Sequence, residues 1–90
     1  MEAPQAIKDR RSDTTDRLKR RLADEIAARR RALGLHQREV AALAHMPRCE
    51  IAHIENRRLE RFTLDRLCWV LCALGCEVAI TVSKSPSGPT

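Results

Sequence analysis

Ninety residues with no internal repeat and no second block of composition allow one small domain, with little room for a catalytic pocket. Fourteen Arg and three Lys against twelve acids give a formal charge of +5, which suits a polyanionic partner such as nucleic acid. No apolar run approaches the roughly 20 residues of a membrane span, and the polar N-terminus has no signal-peptide apolar region, so a cytoplasmic protein without membrane attachment is expected.

Residues 1–12, MEAPQAIKDRRS, are polar, basic and without period, and are expected to form a disordered arm. Such an arm is either a solvated tail or an electrostatic or partner-binding segment. A first helix is predicted from Asp13 or Thr14, which can cap it, with Asp16 near its positive end. Leu18, Leu22, Ile26 and Leu33 mark one face, Ala23 and Ala27 lie beside them, and the other face is dense in Arg. Gly34 supplies the left-handed stop. Arg29, Arg30 and Arg31 lie at the end where cations suit the helix dipole, which is compatible with a merely solvated terminus.

From Gln37 to Asn56 the pattern predicts two short amphipathic helices joined by a tight turn, with Val40, Ala41, Ala44, Met46, Ile51 and Ile54 turned toward each other. The first runs from about Gln37 to Ala44. Pro47 fits only the first positions of a helix, so the second starts near Arg48. That start leaves Arg48, Cys49, Ala52 and His53 on one outward face, short enough to enter a major groove. Gln37 is placed to hold a phosphate with its amide and the helix N-terminal N–H groups, and exposed Arg38 is a candidate backbone contact. Arg48 suits guanine O6 and N7 or a phosphate, Ala52 a thymine methyl, and His53 a base, a phosphate or plain solvent. Glu50 is either a cytosine N4 acceptor or a charge that rejects wrong sites. Glu55 is expected to pair with Arg58 or another basic residue.

Arg57, Arg58 and Arg61 form a basic loop, either solvated or in contact with phosphates, and Phe62 is expected to plug the core beneath it. Thr63 can cap the last helix, with Asp65 in its first turn. Leu64, Leu67, Leu71 and Leu74 make one core face, yet Cys68, Trp69, Val70, Cys72 and Ala73 are apolar too. A helix that is hydrophobic all round in so small a domain needs a second cover, and a partner chain anchored on Trp69 is expected to supply it. Gly75 ends this helix. Glu77 to Val82 then alternates, with Val78, Ile80 and Val82 on one side, as a strand does. With no other strand in the chain, antiparallel pairing with a second copy is expected, and the dimer interface is assigned to Trp69, Val70, Cys72, Ala73, Val78, Ile80 and Val82. The tail, Ser83 to Thr90, is rich in Pro and Ser and expected to be disordered, which leaves 13–82 as the folded domain.

Cys68, Cys72 and Cys76 recur every four residues, too close in line to bridge one another, and suit packing. Cys49, His53 and His45 make only a partial ligand set, so neither metal nor cofactor is expected. Arg48 and the helix N-terminus favour a thiolate at Cys49. No Ser/His/Asp or Cys/His constellation and no glycine-rich phosphate loop is present, and no catalysis is expected.

Gln37, Ala41, Met46, Ile51, Ile54 and Glu55 sit as in the helix-turn-helix of the Xre/Cro regulators, and the similarity runs from about Leu18 to Val82. The segment RFTLDRLCWVLCALGCEVAITV most resembles the HigA-type antitoxin branch. The resemblance implies a mostly α fold, a four- to five-helix lambda-repressor-like helix-turn-helix domain with one C-terminal β-strand that pairs across a dimer. It implies that the second helix of the motif is the recognition helix and that Gln37 meets a phosphate. Two recognition helices about one DNA turn apart, ~34 Å, would then read a pseudo-palindromic operator in double-stranded DNA. The implied function is a dimeric sequence-specific repressor, the antitoxin of a toxin–antitoxin pair that represses its own operon, with a RelE/HigB-like toxin as partner. The alternatives are a stand-alone or phage-type repressor, a toxin-neutralising interaction protein with little DNA role, and a homodimerisation module without DNA affinity. Two positions depart from the pattern: His45 and Arg57 stand where Gly is frequent, and His45 would have to adopt a left-handed conformation.

Overall fold

The computed structural model describes residues 3–84, with side chains from Asp13 onward, and folds them into α1 Ala3–Leu33, α2 Gln37–Ala44, α3 Arg48–Glu55 and α4 Leu64–Ala73. α1 begins at Ala3 rather than at Asp13 or Thr14, so residues 3–12, expected as an arm, continue the helix. Pro4 is tolerated in a first turn, and most of the residues between it and Arg11 favour helix. Asp13 is inside the helix and pairs with Arg17 four residues on at 3.4 Å, which is a mid-helix contact rather than a cap. Met1 and Glu2 of the expected arm, and Ser85 to Thr90 of the expected tail, lie outside the described residues.

The core is one cluster to which every helix contributes. α1 supplies Ala23 and Ile26, α2 Val40, Ala41 and Ala44, α3 Ile51 and Ile54, and α4 Leu67, Val70, Leu71 and Leu74. Ala27 is buried on the same side of α1. The spacing of three and four residues in each set is the helical repeat that lets one face bury while the other stays wet. Met46 closes the turn between α2 and α3, and Phe62, with Leu59, fills the core under the loop before α4. Val70 corrects the sequence expectation: it is wholly buried in its own subunit and cannot reach a partner. It follows Leu67 by three residues and precedes Leu74 by four, which widens the inner face of α4 to include it.

All four helices end the same way. An N–H two or three residues beyond the helix end bonds back five residues, from Leu35 to Arg30 O, Met46 to Ala41 O, Arg58 to His53 O and Cys76 to Leu71 O, at 2.9–3.1 Å. This closure requires a left-handed residue in between. Gly34 and Gly75 supply it at φ +69° and +82°. His45 and Arg57 supply it at φ 56° and 61° although neither is glycine, so both keep the turn geometry that glycine usually provides. At the other ends, Glu39 accepts from the His36 backbone N–H at 2.7 Å, and the Thr63 hydroxyl accepts from the Arg66 N–H at 3.1 Å as expected.

Beyond Gly75 the described residues hold no strand, and Glu77 to Val82, expected as one, carries no regular secondary structure. A single extended segment has no ladder within its own chain, so the alternation there cannot be expressed as a strand without a neighbour. Cys76 and Val78 pack against the core, whereas Ile80 and Val82 are 60% and 90% exposed.

Candidate nucleic-acid interface

α3 is held from behind. Ile51 and Ile54 are fully buried, and Glu55, four residues after Ile51, lies on the same inner flank. Arg30, four residues after Ile26, occupies the matching flank of α1. Its Nε–H donates to Glu55 Oε2 at 2.6 Å, a second N–H donates to Glu55 Oε1 at 2.9 Å, and a third reaches Leu35 O at 3.0 Å. The Gln37 amide N–H adds a bond to Glu55 Oε1 at 3.3 Å. Burial pushes the Glu55 carboxyl up, but the hydrogen bonds from Arg30 and Gln37 and the nearby positive charge hold it below its ordinary value. The hydrogen bond to Glu55 likewise raises Arg30. Three helices are thus pinned around one carboxylate.

The partner of Glu55 is therefore Arg30 and not Arg58. The signal for it was the position of both residues one turn after a core isoleucine, inside what reads as a solvated run of arginines.

With its inner side fixed, α3 presents Arg48, Cys49 and His53 exposed and Ala52 half-buried. Beside them is a recess of about 420 Å³ lined by Arg30, His36, Gln37, Arg38 and Arg48. It brings together Gln37, Arg38 and Arg48 from the sequence-derived set and adds Arg30 and His36. Because Glu55 can only accept, Gln37 must turn its NH₂ toward it, and one of the two amide hydrogens remains for another acceptor. On the other flank a recess of about 430 Å³ is lined by Cys49, Glu50, His53, Arg61, Phe62, Thr63 and Arg66. There an Arg66 N–H donates to Glu50 Oε2 at 3.4 Å.

Arg57 is placed differently from its neighbours. Its Nε–H donates to Asp24 on α1 at 2.8 Å, and its guanidinium also reaches the backbone oxygen of Glu55. That side chain braces the loop against α1, while Arg58 and Arg61 are exposed. Lys19 adds a second brace, from α1 to Leu59 O at 3.4 Å.

All four cysteines are free thiols, and no three His, Cys, Asp or Glu side chains gather as a metal site among the described residues. No helix there is long and apolar enough to cross a membrane.

Known proteins share this fold. A family described as a helix-turn-helix domain matches residues 6–83. The Mycobacterium tuberculosis protein named "Putative antitoxin HigA2" is 35% identical over 82 residues, covering 86% of this chain and 81% of that protein. A solved structure named "Putative XRE Family Transcriptional Regulator" superposes with a TM-score of 0.72 at 29% identity, over 84% of this chain and 85% of that one. The chain belongs to the Xre-type helix-turn-helix family, on its HigA-like side. The family match starts within α1 and ends just past Val82, so this Xre-type domain includes the whole long first helix from residue 6 onward.

Proposed function

We propose that the protein is a dimeric, sequence-specific repressor that reads double-stranded DNA with α3, and that it is the antitoxin of a toxin–antitoxin pair controlling its own operon. What carries the DNA-reading part is the outward face of α3, where Arg48, Cys49, Ala52 and His53 stand opposite a side locked into the core and next to a basic recess. In this reading Arg48 reaches guanine O6 and N7, Ala52 meets a thymine methyl, and His53 and Cys49 line the groove wall. The free Gln37 amide hydrogen, Arg38, Arg58 and Arg61 take phosphates, which set register without reading sequence. Arg57 serves by bracing the loop, not by touching DNA.

The dimer is proposed from what α4 leaves uncovered. Trp69 is 54% exposed while its indole N–H donates to Ala44 O at 2.8 Å, so one edge of the ring is fixed and one face is open. Cys72 is exposed beside it, and Ala73 is half-buried. Together with Val78, Ile80 and Val82 they form the surface assigned to a second copy, with residues 77–82 of the two chains pairing as antiparallel strands. Residues 13–82 then act as one unit for DNA binding and dimerisation. The protein is neither an enzyme nor a cofactor carrier in this reading, and it acts in the cytoplasm.

The antitoxin role rests on the name of the Mycobacterium relative, and a toxin of the RelE/HigB-like class is the partner that the resemblance to HigA-type antitoxins implies. A stand-alone regulator is the second reading, favoured by the structural neighbour, which is called a transcriptional regulator and not an antitoxin. A toxin reading frame beside the gene decides between them.

In a mobility-shift assay on its own promoter the protein is expected to retard that fragment in preference to unrelated duplex. Arg48→Ala should lose about 10- to 100-fold of this preference, the range for one bidentate base contact, and retain weak general binding. Undiminished preference would remove Arg48 from the base-reading set.

A further inference from the structure

The base-reading face leaves one acid of α3 unexplained. Glu50 lies in the first turn of the helix, between the outward face and the core face, and it lines the recess that also holds His53, Arg61 and Arg66. At 100° per residue it lies about 200° round from Arg48, too far to reach the same bases; with α3 in the groove it would face the edge where phosphates run. A carboxylate there is unfavourable for any DNA, whatever its sequence. It is not left bare, because Arg66 from α4 donates to its Oε2 at 3.4 Å. Both groups stay partly exposed, with side-chain accessibilities of 52% for Arg66 and 33% for Glu50. An ion pair this open adds little to folding stability, so its main effect is on the charge that the recess presents. Of the two permanent cations in the recess, Arg66 is paired with Glu50, and Arg61 has no carboxylate partner among the described residues.

We propose that Glu50 is a specificity-determining residue that acts through Arg66: by holding and neutralising that guanidinium it keeps one phosphate contact from forming and so lowers sequence-independent affinity for DNA. This rests on the assignment of α3 to the groove. Base contacts at Arg48 and Ala52 are made with or without the pair. The phosphate contact would be gained equally on every sequence, so suppressing it holds down general binding and leaves operator binding to depend on base contacts. Specificity is the ratio of the two, and many non-operator sites compete in a genome.

The test is a salt titration of binding to operator and to unrelated duplex, for the wild type, Glu50→Gln, Arg66→Ala and the double variant. Glu50→Gln keeps the size of the side chain and releases Arg66. Its binding to unrelated duplex should strengthen, its salt slope should steepen by ~0.9, and its gain at 50 mM salt should be about three-fold larger than at 200 mM. Arg66→Ala should bind unrelated duplex more weakly than the wild type, since it bares the carboxylate. In the Arg66→Ala background, Glu50→Gln should no longer steepen the slope, because the cation that took the phosphate is gone. Equal slopes for the wild type and Glu50→Gln overturn the proposal, as does a steepened slope that persists without Arg66. If the wild type fails to bind DNA at all, what fails is the assignment of α3 to the groove.

Discussion

At the level of single side chains, Glu55 decides how firmly α3 is seated. Its side chain is 7% accessible, holds Arg30 in a two-point pair and accepts from Gln37 as well. Charged hydrogen bonds of this kind contribute about 1.5–3 kcal/mol, so Glu55→Gln should lower unfolding free energy at pH 7 by an amount in that range. The pH dependence follows from the direction of its shift. The carboxyl is held below its ordinary 4.5, so its contribution is present above that pH and is lost as acid protonates it in the folded state. Denaturant melts of wild type and Glu55→Gln should therefore differ at neutral pH and converge as the pH falls below about 4.5, the ordinary value of the acid. A constant difference across that range would show that the side chain acts by shape alone. Little of this cluster was legible beforehand. Hydrophobic spacing placed Ile26 and Ile51, but which of fourteen arginines faces Glu55 depends on how α1 crosses α3, which spacing does not encode.

At the level of elements, the helix ends were legible wherever a residue type has one strong local use. Gly34, Pro47, Thr63 and Gly75 stop, start or cap the helices where expected. The start of α1 was not, because Asp13 and Thr14 have two uses and a helix that is already running takes the mid-helix one. His45 shows the cost of a turn without glycine. It stands at φ 56° between α2 and α3, a conformation that is less favourable by about 1–2 kcal/mol for residues with a Cβ. His45→Gly should recover about 1 kcal/mol of that, less the entropy that glycine adds to the unfolded chain, and raise the melting temperature by a few degrees. An unchanged or lower melting temperature would mean that the His side chain returns the cost through contacts of its own.

At the level of the whole molecule, the single subunit accounts for its core but not for its apolar surface. Trp69, Ile80 and Val82 are more than half exposed, and the residues beyond Gly75 carry an alternation that has no neighbour to pair with. A second copy covers both in the proposed assembly. Cys72 is an exposed free thiol on the outer side of α4, so Cys72→Arg should spare the subunit fold and break the pairing. Sedimentation should then give the monomer mass for the variant and twice that for the wild type. Equal masses would move the interface elsewhere. The sequence marked Val70 as part of this surface because every residue around it is apolar; only packing distinguishes the inner from the outer side of such a helix.

The proposed dimerisation and groove reading together make one demand on DNA, namely two copies of a short sequence in opposite orientation with their centres one helical turn apart, roughly 10 base pairs. Selection of bound duplexes from a randomised pool tests it directly. The expected outcome is an enriched inverted repeat with that spacing, which Arg48→Ala degrades at the same base pair in both halves. Enrichment of no sequence, or of a lone half-site without its mate, would contradict it.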